Sequence, residues 1–517
     1  MTEAPEYPEK IDAAVLKVAG VVVLGAIMSI LDITVVNVAL PTFMTDLDVE
    51  NYSTVAWTVT AYTLALATVI PLTGWAADRF GTKRLYLTAL ALFVAGSALC
   101  ASAQNIEALI AFRVIQGLGG GMLMPLGMTI MTRAAGPQRI GRLMAILGVP
   151  MLIGPIMGPI LGGWLIDHAT WHWIFLINLP IGLLAVIYAI IVLPKDSPEP
   201  SESFDFVGML MMSPGLALFL YGVSSIPEEG TFAAPKVWVT MLIGGLLVAA
   251  FVVYSFKPKH PLLDFRLFRN RDLTLSVLTM LLFAAAFFGA LLLVPTYFQQ
   301  VRGELPFDAG LLVAPQGIGA MITMPIAGTL VDRFPVGRIV PVGVLLICGG
   351  MFGLTGVGAD TSYTYLIVVL FVLGLGMGAT MMPLMTAALR TLAGHEVARG
   401  STLLNITQQI ASSVGVAIIS VVLTSQQKAS EVVSAGQALA EAKQSGEQPS
   451  PQVLQYVQSL GDKFPAMFAD ESAAAFAQSF WVAFWLCAAT FVVTLFLRKK
   501  KIDQPDVDQD QPPVVVH

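Results

Sequence analysis

Fourteen apolar runs, each close to twenty residues or longer, leave this chain few ways to fold. They fall at roughly 15–41, 53–76, 85–103, 107–131, 143–166, 172–193, 206–225, 237–256, 273–300, 308–331, 339–358, 362–389, 400–424 and 474–497. About 20 mainly apolar residues in a helix cross the hydrocarbon core, and lipid offers the backbone no hydrogen bonds, so each run must satisfy its own. The runs predict an all-α integral membrane protein with fourteen transmembrane helices. Only 12% of the residues are charged and the mean hydropathy is +0.77, whereas soluble domains carry about 25% charged residues. A net charge of -6 provides no basic surface for nucleic acid. The first run is of full span length without a small-x-small cleavage site, so it reads as a span and not as a signal peptide. Cys100, Cys348 and Cys487 each lie in an apolar run, as small buried hydrophobes do, and form no disulfide or metal pattern.

Lys and Arg set the orientation. With the N-terminus cytoplasmic, 22 of them fall in inside segments and five (Lys236, Arg302, Lys428, Lys443 and Lys463) outside; Arg113, within a span, completes the 28. The positive-inside rule thus places both termini in the cytoplasm of a multi-pass plasma membrane protein.

The chain also repeats itself. GWAADRFGTKR at 74–84 returns as GTLVDRFPVGR at 328–338, and GLGGGMLMPL at 117–126 as GLGMGATMMPL at 374–384. Two six-span halves related by a parallel repeat follow, with spans 7 and 8 as an inserted pair between them. The expected division is a cytoplasmic N-terminus at 1–14 and a six-helix bundle at 15–193. A linker with two extra helices at 194–257, a second six-helix bundle at 258–497 and a cytoplasmic tail at 498–517 follow. The second bundle includes a long extracellular loop, 425–473. Within that loop VLQYVQSL and AGQALAEAKQSG are helix-prone, and Ser450-Pro451 can start a helix. The loop is either solvated or an amphipathic pair resting on the membrane or the outer mouth of the bundle.

Two full charges stand away from span ends: Asp32 in the first span and Arg113 in the fourth. A midplane charge costs at least ~2.5–3.5 kcal/mol on insertion scales, so it usually faces a bundle interior or a wet cavity and has a partner. Asp32 is nine residues before Pro41, and Arg113 is six after the outer start of its span. At a 1.5 Å rise per residue they lie roughly 13 and 9 Å below the same surface. The two can meet, either as a fixed ion pair locking two helices or as a proton carrier whose charged form Arg113 holds.

LDITVVNVALP at 31–41, GWAADRFGTKR at 74–84, RVIQGLGGG at 113–121, GVPMLIGPIMGPILGG at 148–163 and WHWIFLINLPIG at 171–182 resemble the signature motifs of the fourteen-span drug:proton antiporters of the major facilitator superfamily. The resemblance covers nearly the whole chain. It implies proton-driven export of lipophilic, often cationic, compounds, with Asp32 and Arg113 at the proton-coupling positions. The second half departs from the first: Phe371 aligns with Arg113, and two extra residues separate Asp332 from Gly337. Coupling is therefore expected in the first half alone.

The motifs also read physically. Gly74 permits close helix approach and Gly81 a tight turn. Asp78 can cap a helix of the other half starting near Gly400 and Ser401, with Arg79 and Arg84 adding local salt bridges, which together would form a conformational latch. The basic residues of this loop otherwise serve topology alone. Asp332 is the weaker counterpart of Asp78. Gly154, Gly158 and Gly162 form a smooth stripe, suited to generic helix packing or to the antiporter motif it resembles; Pro155 and Pro159 allow bending. Substrate-binding candidates are Met28, Asn37, Tyr62, Gln116, Phe287, Gln316, Asn405, Gln408 and Gln409, although intramembrane amides also serve as glue between helices.

No cofactor is expected beyond a proton gradient, and the partners are the membrane, protons, lipophilic or cationic small molecules and lipids, with the monomer as functional unit. An exporter dedicated to one endogenous lipid or metabolite is the alternative. An enzyme would need nucleophiles or metal ligands that the scattered histidines do not supply, and a receptor without transport would not need two repeated halves.

Overall fold

The computed structural model describes residues 13–49, 52–135, 160–166, 168–196, 204–229, 231–258, 261–390, 396–445 and 448–498, with single positions at 143, 146, 148, 154, 157, 158 and 392. The first half holds α1 (Ala13–Asp46), α2 (Tyr52–Phe80), α3 (Thr82–Ala101), α4 (Ile106–Ala135) and α5 (His172–Val192, with a turn at Ile177). An inserted pair follows, α6 (Phe206–Glu229) and α7 (Pro235–Tyr254). The second half comprises α8 (Arg271–Gln300), α9 (Pro306–Arg333), α10 (Val336–Leu354), α11 (Tyr363–Arg390), α12 (Val397–Ala429), two short helices α13 (Glu431–Ser445) and α14 (Pro451–Leu460), and α15 (Phe464–Thr494). Among the described residues 13 helices are long and apolar enough to cross a membrane. The remaining expected span, 143–166, is described as helix over 160–166.

Local chemistry sets several boundaries. Asn270 accepts from the backbone N–H groups of Asp272 and Leu273 to start α8, and Ser450 does so for Val453 at the start of α14, with Pro451 in the first turn. Pro125 and Pro383 lie at matching places inside α4 and α11, where neighbouring helices can take up the backbone groups a proline frees.

The repeat in the sequence is a repeat in space. In the first half α4 packs against α1, α2 and α3; in the second α11 packs against α8, α9 and α10. The halves meet where α2 and α4 touch α12. The inserted helices pack on each other, and α6 lies across both α2 and α12, over the seam between halves. Asp205 knots this insertion together: its carboxylate accepts from Gly208 N (2.8 Å), Leu262 N (3.0 Å) and the Tyr254 hydroxyl (3.0 Å).

The long loop is a helical hairpin. Gln427 Nε2 donates to Gln300 Oε1 (3.1 Å), Gln437 Nε2 donates to Gln427 Oε1 (3.0 Å), and Ser430 donates to the Glu471 carboxylate. Amides therefore tie α13 to the ends of α8 and α12, with Val432 and Val433 buried beneath it. No residue of α14 is buried.

Candidate functional site

Close helix approach builds the site around Asp32. A Cβ on Gly96 of α3 would lie 2.6 Å from Gln116 Cα, and one on Gly117 of α4 would lie 2.5 Å from the Tyr62 carbonyl. Glycine at these two positions lets α4 fit between α2 and α3, and it carries Arg113 and Gln116 three residues apart on one face.

Asp32 and Arg113 do meet, and both side chains are 0% exposed. Arg113 Nη1 donates to Asp32 Oδ2 and, at 2.6 Å, to Gln116 Oε1. Its Nε donates to the Thr58 carbonyl at 3.0 Å, and the guanidinium stands 4.1 Å from the Tyr62 ring centroid. Asp32 Oδ1 accepts from Gln116 Nε2 (2.7 Å) and Asn178 Nδ2 (3.3 Å). Those two amides also donate to Ser97 Oγ, at 2.7 and 3.3 Å. The Tyr62 hydroxyl lies 3.2 Å from Ser29 Oγ. Among the described residues the carboxylate is therefore held by α4 and α5, with Ser97 of α3 behind their amides, all of the first half. Such a pair holds because each ion is hydrogen-bonded as well as neutralised; bare burial of either would cost several kcal/mol.

The glycine stripe of the fifth span abuts the same turn of α1. Cβ atoms on Gly154 and Gly158 would fall 2.1 Å from the side chains of Ile30 and Thr34, and one on Gly162 would fall 3.1 Å from Val35. Thr34 donates to the Gly154 carbonyl at 3.2 Å. Pro155 and Pro159 lie outside the described residues.

At the end of the molecule bearing the α2–α3 and α9–α10 turns, Gly74 lies at a contact between halves. A Cβ there would meet Thr402 Oγ1 at 3.1 Å and the Ala398 carbonyl at 3.4 Å, both on α12. Asp78 pairs with Arg133 of its own half at 3.1 Å. The helix it was expected to cap begins at Val397, three residues before Gly400, and Glu396 occupies the N-cap position. Asp332 repeats the arrangement, pairing with Arg390 at the corresponding end of α11. Gly81 has φ +92°, the left-handed region that favours glycine. Its turn is held by Asp196, which accepts from the backbone N–H groups of Lys83 (2.8 Å) and Arg84 (3.0 Å). Arg79 is exposed. Replacing Gly74 with Val should hold the halves apart at this face and lower transport about tenfold or more, a loss on the scale of ~1–3 kcal/mol for overpacking; cysteine cross-linking between α2 and α12 would report the separation.

The substrate candidates do not share one surface. Tyr62 and Gln116 belong to the Asp32 cage, and buried Met28 touches Gly182 of α5. Phe287 is buried and stacks on Phe283 at 5.7 Å. Gln316 is buried on α9. Asn37 is exposed and bonds the Ile33 carbonyl of its own helix. Asn405 bridges the halves, donating to Met128 Sδ (3.1 Å) and the Ser401 carbonyl (2.8 Å). Gln408 and Gln409 are half-buried one turn further along α12. Further on again, a cavity of about 330 Å³ opens between α6, α8 and α12, lined by Val223, Ser224, Phe288, Ser412, Ser413 and Val416. Sequence reading missed Asn178 and Ser97, the amide and hydroxyl beside Asp32; their depth in their spans was the signal.

Comparison with known proteins agrees with this architecture. The family model described as Major Facilitator Superfamily matches residues 22–416. A multidrug resistance protein B homolog of Mycobacterium tuberculosis is 46% identical over 499 residues, covering 96% of this chain and 92% of that protein. The multidrug export protein EmrB of Haemophilus influenzae is 32% identical over 418 residues, covering 80% and 82%. Among solved structures, the human organic anion transporter MFSD10 superposes with a TM-score of 0.58 at 16% identity, covering 93% of this chain and 100% of that one. The proton:xylose symporter XylE gives 0.59 at 12%, covering 94% and 96%.

Proposed function

The chain belongs to the major facilitator superfamily, and on that premise we propose that it is a proton-coupled antiporter exporting lipophilic and cationic drugs or related compounds by alternating access. Asp32 carries the proton and Arg113 holds its charged form. The observation that carries the reading is the caged Asp32–Arg113 pair, a fully buried ion pair in the first span bundle. Intramembrane ionisable residues that face a bundle interior and are paired mark transport and proton pathways. Relatives named as multidrug transporters support drugs as cargo.

The energy source is the proton gradient, the working unit is the monomer in the plasma membrane, and both termini are cytoplasmic, as the charge asymmetry argues. The bundles at 15–193 and 258–497 rock about the site, with 194–257 as the inserted pair. Gly74 and the acid–base pairs at Asp78 and Asp332 form the cytoplasmic latch, closed while the protein faces outward. Inverted vesicles loaded with dyes, antibiotics and lipids, with and without a pH gradient, test the reading. Accumulation that ignores the gradient would remove the antiport mechanism.

One observation favours a second cargo. The extracellular hairpin α13–α14 sits over the ends of α8, α12 and α15, where it can guide release of a lipid or lipophilic metabolite. Deleting 430–470 should then cut transport of lipophilic cargo several-fold; unchanged flux would remove this role.

A further inference from the structure

Among the described residues, every hydrogen-bond partner of the Asp32 carboxylate is a donor. Arg113 Nη1 reaches one oxygen, and Gln116 Nε2 and Asn178 Nδ2 reach the other. That cage suits the charged form. A proton carrier must also exist neutral, and a protonated carboxyl brings an O–H that needs an acceptor once buried. One of the neighbours has to change sides.

Gln116 cannot. Its Oε1 already accepts from Arg113 Nη1 at 2.6 Å, and turning the amide over would set its N–H groups against the guanidinium. Asn178 is different. Its Nδ2 makes both of its side-chain hydrogen bonds, to Asp32 and Ser97, while its Oδ1 takes none among the described residues. Ser97 Oγ accepts twice, and its own proton meets no acceptor there. An amide occupies the same space in either orientation. Turned over, Asn178 would present Oδ1 to Asp32 and to Ser97, accepting a hydrogen bond from each O–H.

We propose that Asn178, with Ser97, is an amide switch that positions Asp32 in both protonation states. Nδ2 faces the carboxylate when Asp32 is charged, and Oδ1 faces the carboxylic acid when it is neutral. The proposal rests on Asp32 being the proton carrier. Among the described residues, the other titratable or charged groups near Asp32 are Arg113 from α4, Tyr62 from α2 and Cys100 from α3; α5 adds Asn178, and its Phe175 ring lies 5.8 Å from the Arg113 guanidinium. Tyr62 bonds Ser29, and the Cys100 thiol lies 3.6 Å from Gln116 Oε1, so each is already engaged elsewhere.

The sign of one pH shift separates a switch from a plain donor. If Asn178 served only to donate to the carboxylate, Asn178→Leu would weaken the charged form, and transport would move to higher pH. If it is a switch, the charged form loses one long donor contact (3.3 Å) but keeps Arg113 and Gln116, while the neutral form loses its one acceptor among the described residues, so the larger loss falls on the neutral form. The midpoint of the pH–transport profile in proteoliposomes should then fall by about one pH unit, the cost of an unsatisfied buried hydroxyl less that of the lost donor. Asn178→Ser, whose hydroxyl both donates and accepts, should shift less. An upward shift, or none, would overturn the switch. Should the Leu variant not fold, infrared difference spectra of the unaltered protein between acid and neutral pH decide. A side-chain amide band that changes together with the Asp32 carboxyl band, and is altered in Ser97→Ala, supports the proposal; a carboxyl change without an amide change overturns it. Asp32→Asn keeps the two levels apart. Gradient-driven transport surviving in that variant removes the proton carrier itself, whereas its loss alongside a wrong-signed Asn178 shift removes only the switch.

Discussion

Asp32→Asn is expected to reduce gradient-driven export to background, while exchange of substrate without a gradient continues. An asparagine fills the same space and still offers an oxygen to Arg113, but it carries no proton from one side of the membrane to the other. The loss should therefore appear in coupling and not in substrate binding. Uptake into inverted vesicles at matched protein amounts, with and without an imposed pH gradient, measures it. Undiminished proton-coupled transport would end the role assigned to Asp32.

Arg113→Met is expected to be the most destabilising single change at the site. It removes the cation but keeps much of the volume, leaving Asp32 at 0% exposure with two amides as its remaining donors among the described residues. Breaking a buried pair from one side costs about 3–5 kcal/mol, whereas replacing both partners with neutral groups is often tolerated. The double variant Asp32→Asn/Arg113→Met should thus recover most of the stability lost in Arg113→Met and none of the coupling. Unfolding of the purified variants in detergent, set out as a double-mutant cycle, tests this. Additive losses would mean that the two side chains do not act as a pair.

Span count, internal repeat and the meeting of Asp32 with Arg113 were legible because each is a matter of apolar length or of depth, and charges in lipid are too costly to hide. The same depth argument reaches further than charges. Asn178 lies six residues into α5 from His172, and Ser97 four residues before Ala101 at the end of α3, so both lie near the level of Arg113. Uncharged polar residues are cheap enough in a span to escape notice, which is why they did. Arg133 escaped for another reason: a basic residue at a span end already has a topological explanation, and only the fold brings it beside Asp78. The substrate candidates failed to converge because amides and aromatics in lipid have several uses, and a sequence does not say which face of a helix looks inward. Met28 and Phe287 are core.

Among the described residues, the cage around Asp32 draws its hydrogen bonds from one half of the protein, apart from the cavity between α6, α8 and α12. Side chains along α6, α8 and α12 can change in size and polarity without touching the proton site. On the function proposed above, and if cargo passes through that cavity, a lineage under pressure from new toxins would widen what it expels by altering those walls, with its energy supply intact. An inhibitor aimed at the cavity would face a moving target, whereas one that jams the motion of α1 against its neighbours would act on every cargo at once.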